Sequence, residues 1–187
     1  MKVGASGLSD VGKKRTRNED CFLVSDKLQL YIVADGMGGH SGGEYASRLA
    51  VATMEEVISS MNMDPEATVI SGVNSEDTEY GDRLRYAIEV ASQKIFDQAL
   101  YDPELKGMGT TITAMIVDKA CAYIANVGDS RVYLLRDGKI KQVTTDHSLV
   151  SEQMRAGLIS SGDAKKHKLK NNCGNPDYDC HIHYLLY

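Results

Sequence analysis

Three groups of residues have the types and spacing to do chemistry. Arg15 and Arg17 precede Asn18, Glu19 and Asp20. Asp35 opens the run Asp35-Gly36-Met37-Gly38-Gly39-His40. Asp129 sits in Gly128-Asp129-Ser130-Arg131. A carboxylate at the end of a rigid strand, with glycine letting the backbone approach closely, suits a hard divalent cation, which takes oxygen ligands. An arginine beside such carboxylates suits an anionic substrate oxygen, because its guanidinium offers a planar fork of donors. Each group also has a plain structural reading. Glu19-Asp20 with Arg15 and Arg17 reads as a solvated charged turn, Asp35 and its glycines as a strand and tight turn, and His40 as a cap on the helix that follows. For Asp129, the structural reading is a fixed turn with an ion pair to Arg131.

The elements that must position these residues follow from periodicity. The apolar, β-branched run from Leu30 to Ala34 reads as a buried strand ending at Asp35, and residues 21–25 as a strand beside it. Residues 3–10 partly alternate and predict another strand. Between 41 and 62, Ala46, Leu49, Ala50, Met54, Val57, Ile58 and Met61 fall on one helical face. Residues 64–80 are polar, contain Pro65 and Gly72, and read as a loop. Leu84, Ile88, Ala91, Ile95 and Ala99 give a second amphipathic helix over 82–100. Strand-like runs at 110–117, 120–127 and 130–135, and another ending at Val143, predict an antiparallel meander, with hairpin-length turns at Asp118-Lys119 and 136–139. Residues 149–156 read as a short helix. The pattern is α+β, with helices covering a sheet.

Composition bounds the answer. The 187 residues suit one domain with a sizeable core, and 42% hydrophobic and 25% charged content is ordinary for a globular protein. A formal charge of −5 argues against nucleic acid as partner. No apolar run approaches membrane-spanning length, and the first residues lack a secretory apolar region. Cys21, Cys121, Cys173 and Cys180 form no disulfide framework. Cys21 and Cys121 sit in strand-like runs as small apolar residues, which predicts a cytoplasmic location.

In order, the chain carries Arg15-x-x-Asn18-Glu19-Asp20, Asp35-Gly36-Met37-Gly38-Gly39-His40 with Gly43, Gly109-Thr110-Thr111, Val127-Gly128-Asp129-Ser130-Arg131 and Thr144-x-Asp146-His147-Ser148. This succession, over about residues 3–170, resembles the metal-dependent serine/threonine protein phosphatases, the protein phosphatase 2C-like (PPM) family in its compact bacterial form. The resemblance implies a four-layer α-β-β-α sandwich of two mostly antiparallel sheets. It implies two manganese or magnesium ions at the sandwich edge, with Asp35 as bridging carboxylate, the Gly36 carbonyl as a ligand, Asp20 near the second ion and Glu19 in the outer shell. Asp129 matches a residue that holds a third, weaker ion in relatives. Arg15, not Arg17, takes the phosphate-binding position, and His40 is the candidate general acid. A water between two such ions becomes a nucleophile near neutral pH and attacks phosphorus in line, so no covalent intermediate is needed. Asp146 and His147 read as structural. The implied partners are phosphoserine and phosphothreonine proteins, with a bacterial Ser/Thr kinase or its substrates opposite; neither nucleic acid nor membrane is implied.

The resemblance weakens past Lys170. The family continues with an apolar strand, an Asp-Gly motif and an Asp-Asn motif, the two motifs supplying further ligands, and residues 171–187 match none of them. The reading is therefore an incomplete phosphatase domain over 1–170 and an atypical tail over 171–187, disordered or lying against surface that missing strands would cover. Asp163, Asp177 and Asp179 are poor replacement ligands, and Cys173, Cys180, His181 and His183 match no strong zinc spacing. A chain short of two carboxylates is expected to show little activity alone. The second reading is a catalytically dead phosphoprotein-binding or regulatory module using Arg15.

Overall fold

The computed structural model describes residues 3–38, 41–63, 76–147 and the backbone of 181–186. Strand β1 (Asp20–Ser25) turns into β2 (Leu30–Met37), and two helices follow, α1 (Gly42–Met63) and α2 (Glu76–Tyr101). A single 3-10 turn (Pro103–Leu105) leads to the short β3 (Gly109–Thr110), then to β4 (Ile112–Asp118) and β5 (Cys121–Val127). The remaining strands are β6 (Tyr133–Arg136), β7 (Lys139–Gln142) and β8 (His181–Leu186). The main sheet runs β1-β2-β4-β5-β8 with β3 also on β2, while β6 and β7 form a separate hairpin closed by Asp137-Gly138. Every pairing is antiparallel, but the expected meander stops at β5, which pairs with β8 rather than β6, while β6 and β7, among the described residues, pair only with each other.

The helices lie on one face of this sheet. Leu30, Ile32 and Ala34 of β2, with Ile112, Ala114 and Ile116 of β4, meet Ala50, Met54 and Ile58 of α1 and Leu84, Ala87, Ile88 and Ala91 of α2. Apart from Ala87, these helix residues lie on the predicted helical stripes, and their burial supplies the main stabilising term, roughly 25 cal/mol per Å² of apolar surface. Arg83 ties the helices together. It donates to Asn62 Oδ1 at 2.9 Å and to Glu79, and lies 5.3 Å from the centre of the Tyr80 ring. The helix begins at Glu76 rather than Asp82, because the turn that bears Glu79 is held by its i,i+4 pair with Arg83.

Two further sequence expectations change. Residues 3–10 form no strand: they cross the second face of the sheet, with Gly7 packed under the Phe22 ring. An isolated alternating segment cannot satisfy its backbone without a neighbour to pair with. Conversely, the sequence reading places no sheet strand beyond residue 170, yet 181–186 pair with β5, His181 opposite Asn126 and Leu186 opposite Cys121. Strand β5 is apolar and buried along most of its length, so its outer edge needs hydrogen-bonding partners that water cannot supply. The expected helix at 149–156 lies outside the described residues. Among the described residues no helix is long and apolar enough to cross a membrane.

Candidate active site

The β1-β2 register places Asp20 directly opposite Asp35. In an antiparallel pair, opposed residues point to the same face, so both carboxylates emerge on the face away from the helices. Two acids facing one another at a sheet end are unfavourable unless a proton or a cation joins them. The Asp35 carboxyl is accordingly pushed above the ordinary carboxylate range, by burial first, then by the charge of Asp20 and a hydrogen bond to it. Asp129 adds to the rise and Arg15 opposes it. Asp20 and Asp35 border a cleft of about 230 Å³ together with Ser9 and Ser130.

The backbone of Asp35 is braced from across the sheet. Its N–H donates to Thr111 Oγ1 at 3.0 Å, and its carbonyl accepts from the Thr111 N–H at 2.9 Å. Thr111 Oγ1 also lies 2.8 Å from Ser130 Oγ, so one threonine joins the Asp35 strand end to the loop carrying Asp129. Gly128 has φ +107°, and a Cβ there would sit 2.6 Å from the Thr111 methyl carbon. Only glycine permits this fit.

Gly36 marks the tightest contact in the site. Its N–H donates to the Glu19 carbonyl at 3.1 Å, and a Cβ built on it would lie 2.0 Å from the Gly43 carbonyl oxygen. The first turn of α1 therefore rests on the end of β2, backbone against backbone. Ser47 Oγ donates to the same Glu19 carbonyl at 2.6 Å. The Glu19 side chain lies beside Gly43 and makes a long 4.0 Å ion pair with Arg15. Asn18 pins the preceding loop, its Nδ2 donating to Ser9 Oγ at 2.6 Å and its Oδ1 accepting from the Asp20 N–H at 3.0 Å. The sequence singled out neither Ser47 nor the roles of Thr111 and Asn18. The ordered motifs containing Asn18 and Thr111 were the available signal.

Asp129 is exposed and contributes its charge to the Asp35 site. The alternative in which it pairs with Arg131 is not realised. Arg131 forks instead onto Asp146, Nε to Oδ1 at 2.8 Å and Nη2 to Oδ2 at 2.5 Å, because 144–147 folds back against the 128–131 turn. His147 is buried, and its Nδ1 accepts from the Gly128 N–H at 3.2 Å while the His147 backbone N–H donates to the Gly128 carbonyl at 2.9 Å. Both residues hold the turn. His40, Asp163, Asp177, Asp179, Cys173, Cys180 and the side chains of His181 and His183 lie outside the described residues.

The donor set is that of a hard cation, with facing carboxylates, a third acid nearby and a glycine backbone. Among the described residues, however, no three His, Cys, Asp or Glu side chains gather closely enough to hold an ion. What they offer is a carboxylate pair rather than a closed cage.

Comparison with known proteins bears on this arrangement. Residues 11–166 match the family model described as protein phosphatase 2C. The chain is 41% identical over 166 residues to the serine/threonine phosphatase stp of Listeria welshimeri, covering 87% of this chain and 62% of that protein. The chain thus spans less than two thirds of that relative's length. The serine/threonine phosphatase of S. agalactiae superposes with a TM-score of 0.79 at 32% identity, over 96% of this chain and 72% of that one. The catalytic domain of the phosphatase PstP, crystallised with two manganese ions, superposes with a TM-score of 0.72 at 29% identity, over 96% and 70%. Carboxylates paired at a strand end, a glycine contact with the following helix and these likenesses converge: the chain belongs to the protein phosphatase 2C (PPM) family of metal-dependent serine/threonine phosphatases.

Proposed function

We propose that the protein hydrolyses phosphoserine and phosphothreonine in proteins, opposing a bacterial Ser/Thr kinase in the cytoplasm. The observation that carries the reading is Asp20 facing Asp35 across β1 and β2, with the Asp35 carboxyl pushed up by burial and by Asp20 and its backbone locked in place by Thr111 and Gly36. Asp35 and the Gly36 carbonyl would hold manganese or magnesium, with Asp20 beside a second ion, Glu19 in the outer shell and Asp129 toward a third. Bound there, the ions would supply Lewis acidity toward the phosphate and activation of water. Arg15 lies in the exposed loop before this pair. Its guanidinium would grip two phosphate oxygens and offset their charge, while His40 would protonate the departing serine or threonine oxygen. The open sheet face bearing Phe22 and Val33 is where the second sheet of a four-layer sandwich would pack. Residues 1–170 then form the phosphatase domain.

With a carboxylate pair in place of a cage, the chain is expected to turn over slowly by itself. The same observation favours the second reading, a phosphoprotein-binding module that uses Arg15 without a competent metal pair. Hydrolysis of a phosphothreonine peptide and of p-nitrophenyl phosphate, with and without manganese, separates the two. Manganese-dependent turnover lost in Asp35→Ala supports the enzyme. Phosphopeptide binding lost in Arg15→Ala without turnover supports the module, and failure of both refutes the shared site.

A further inference from the structure

The loop before Asn18 carries Lys13, Lys14, Arg15 and Arg17, four cations within five residues of a chain whose net charge is −5. All four are exposed. Only one phosphate arginine is needed by the reading above, and Lys13 and Lys14 have no role in it. The loop is held at both ends. The Gly12 N–H donates to Asp10 Oδ1 at 2.7 Å at one end, and Asn18 bonds Ser9 and Asp20 at the other. The cations thus lie between the Asp10–Gly12 turn and the Asn18–Ser9 bond that closes the loop. Lys14, Arg15, Arg17 and Glu19 border one open depression of about 450 Å³, large enough for more than a single phosphate group. The one carboxylate in it, Glu19, is engaged with Arg15 at 4.0 Å.

We infer that this loop recognises a second negative charge on the substrate, an acidic side chain or another phosphate within about three residues of the phosphorylated one. The inference rests on the phosphoprotein reading proposed above. Consecutive residues of an extended peptide advance by about 3.3–3.6 Å, and a lysine ammonium at the end of its four-carbon stem sweeps across several such steps. A phosphate held by Arg15 therefore brings its flanking side chains under Lys14 and Lys13. In the reading above Asp20, Asp35 and Asp129 are the cation-holding side of the site, so the charge of the flank is read by the basic loop. An acidic flank is attracted to Lys13 and Lys14, a lysine flank meets like charge there, and that contrast supplies the discrimination.

The test uses the whole chain and fluorescein-labelled peptides bearing a hydrolysis-resistant phosphonate analogue of phosphothreonine. The flanks are two glutamates, two glutamines, two lysines or a second phosphonate, and affinity is read by fluorescence anisotropy. Glutamate and phosphonate flanks are expected to bind about three- to tenfold tighter than glutamine, and lysine flanks weaker, with the differences shrinking as salt is raised. In Lys13→Ala/Lys14→Ala the ratio of glutamate to glutamine affinities falls toward one. Equal affinities across flanks, or an undiminished ratio in that variant, overturn the inference while leaving the phosphatase reading standing. Tight binding of the glutamate peptide without its phosphonate also overturns it, since the loop would then be an independent acidic-peptide site. Failure of every phosphonate peptide to bind refutes the underlying phosphoprotein reading as well.

Discussion

Alternate residues of β2 meet opposite surroundings. Leu30, Ile32 and Ala34 are 0%, 2% and 3% exposed beneath the helices, whereas Val33 is 48% exposed and Asp35 stands at the open end of the same row. The partner strand repeats the pattern on that row, with Phe22 39% exposed opposite Val33 and Asp20 opposite Asp35. The residues 3–10 cross this second face, leaving a cleft of about 520 Å³ between themselves and the sheet. A strand with side-chain period two can thus devote one set of residues to the core and the other to chemistry. The cost of placing like charges together falls on the face where water and a cation can reach them.

The sharpest test of this division is Ile32→Ala against Val33→Ala in urea unfolding. Truncating the core side chain is expected to cost about 2–5 kcal/mol, and its neighbour less than about 1 kcal/mol. Similar losses at both positions would mean that the second face is as tightly packed as the first. Next in size is Gly36→Ala, where the new methyl meets the Gly43 carbonyl rather than a yielding side chain. The expected loss is about 3 kcal/mol, together with the manganese-induced rise in Tm, because the end of β2 must part from α1. Retention of that rise would show that the glycine contact does not set the geometry of the site.

Arg15→Ala is expected to weaken phosphonate-peptide binding by roughly 1.5–3 kcal/mol, and Arg17→Ala by less. Equal losses would move the phosphate grip along the loop. The smallest effect concerns pH. In the metal-free protein Asp35 holds its proton to higher pH than in the unfolded chain, through burial and the nearby Asp20. The folded state then binds more protons, so this group's contribution to stability falls as pH rises from the unfolded carboxylate range through the raised folded value. Asp35→Asn removes that slope. At neutral pH it is expected to raise the metal-free Tm by about 2 °C, a solvent-screened effect, while abolishing any rise on adding manganese. A fall in the metal-free Tm would show that the Asp35 charge is already compensated within the protein.

Much of this was legible in the sequence where the signal is local. The run from Leu30 to Ala34, the apolar stripes of α1 and α2 and the hairpin at Asp137-Gly138 each declare their element within a few residues. The bracing of the site was not legible. Thr111 reaches Asp35 across 76 positions, and nothing in the sequence around Asp35 announces it. Likewise, the alternation of residues 3–10 indicates a strand that could form, but pairing requires a neighbour, and local pattern does not report neighbours. Strand β8 was legible only as a tail that could lie against uncovered surface, not as a strand. Its sequence is short and mixed, and what recruits it is the bare outer edge of β5.

That pairing has a consequence for the order of assembly. Residues 181–186 leave the ribosome well after β5, so during synthesis β5 waits with one row of amides and carbonyls open and apolar side chains on both faces. In that interval it is a template for any extended segment, including the β5 of a neighbouring nascent chain. A chain stopped before residue 181 is expected to leave the monomer peak for higher oligomers in size-exclusion chromatography, and to bind thioflavin T. A synthetic peptide of residues 181–186 added during refolding should suppress both by occupying the vacant edge.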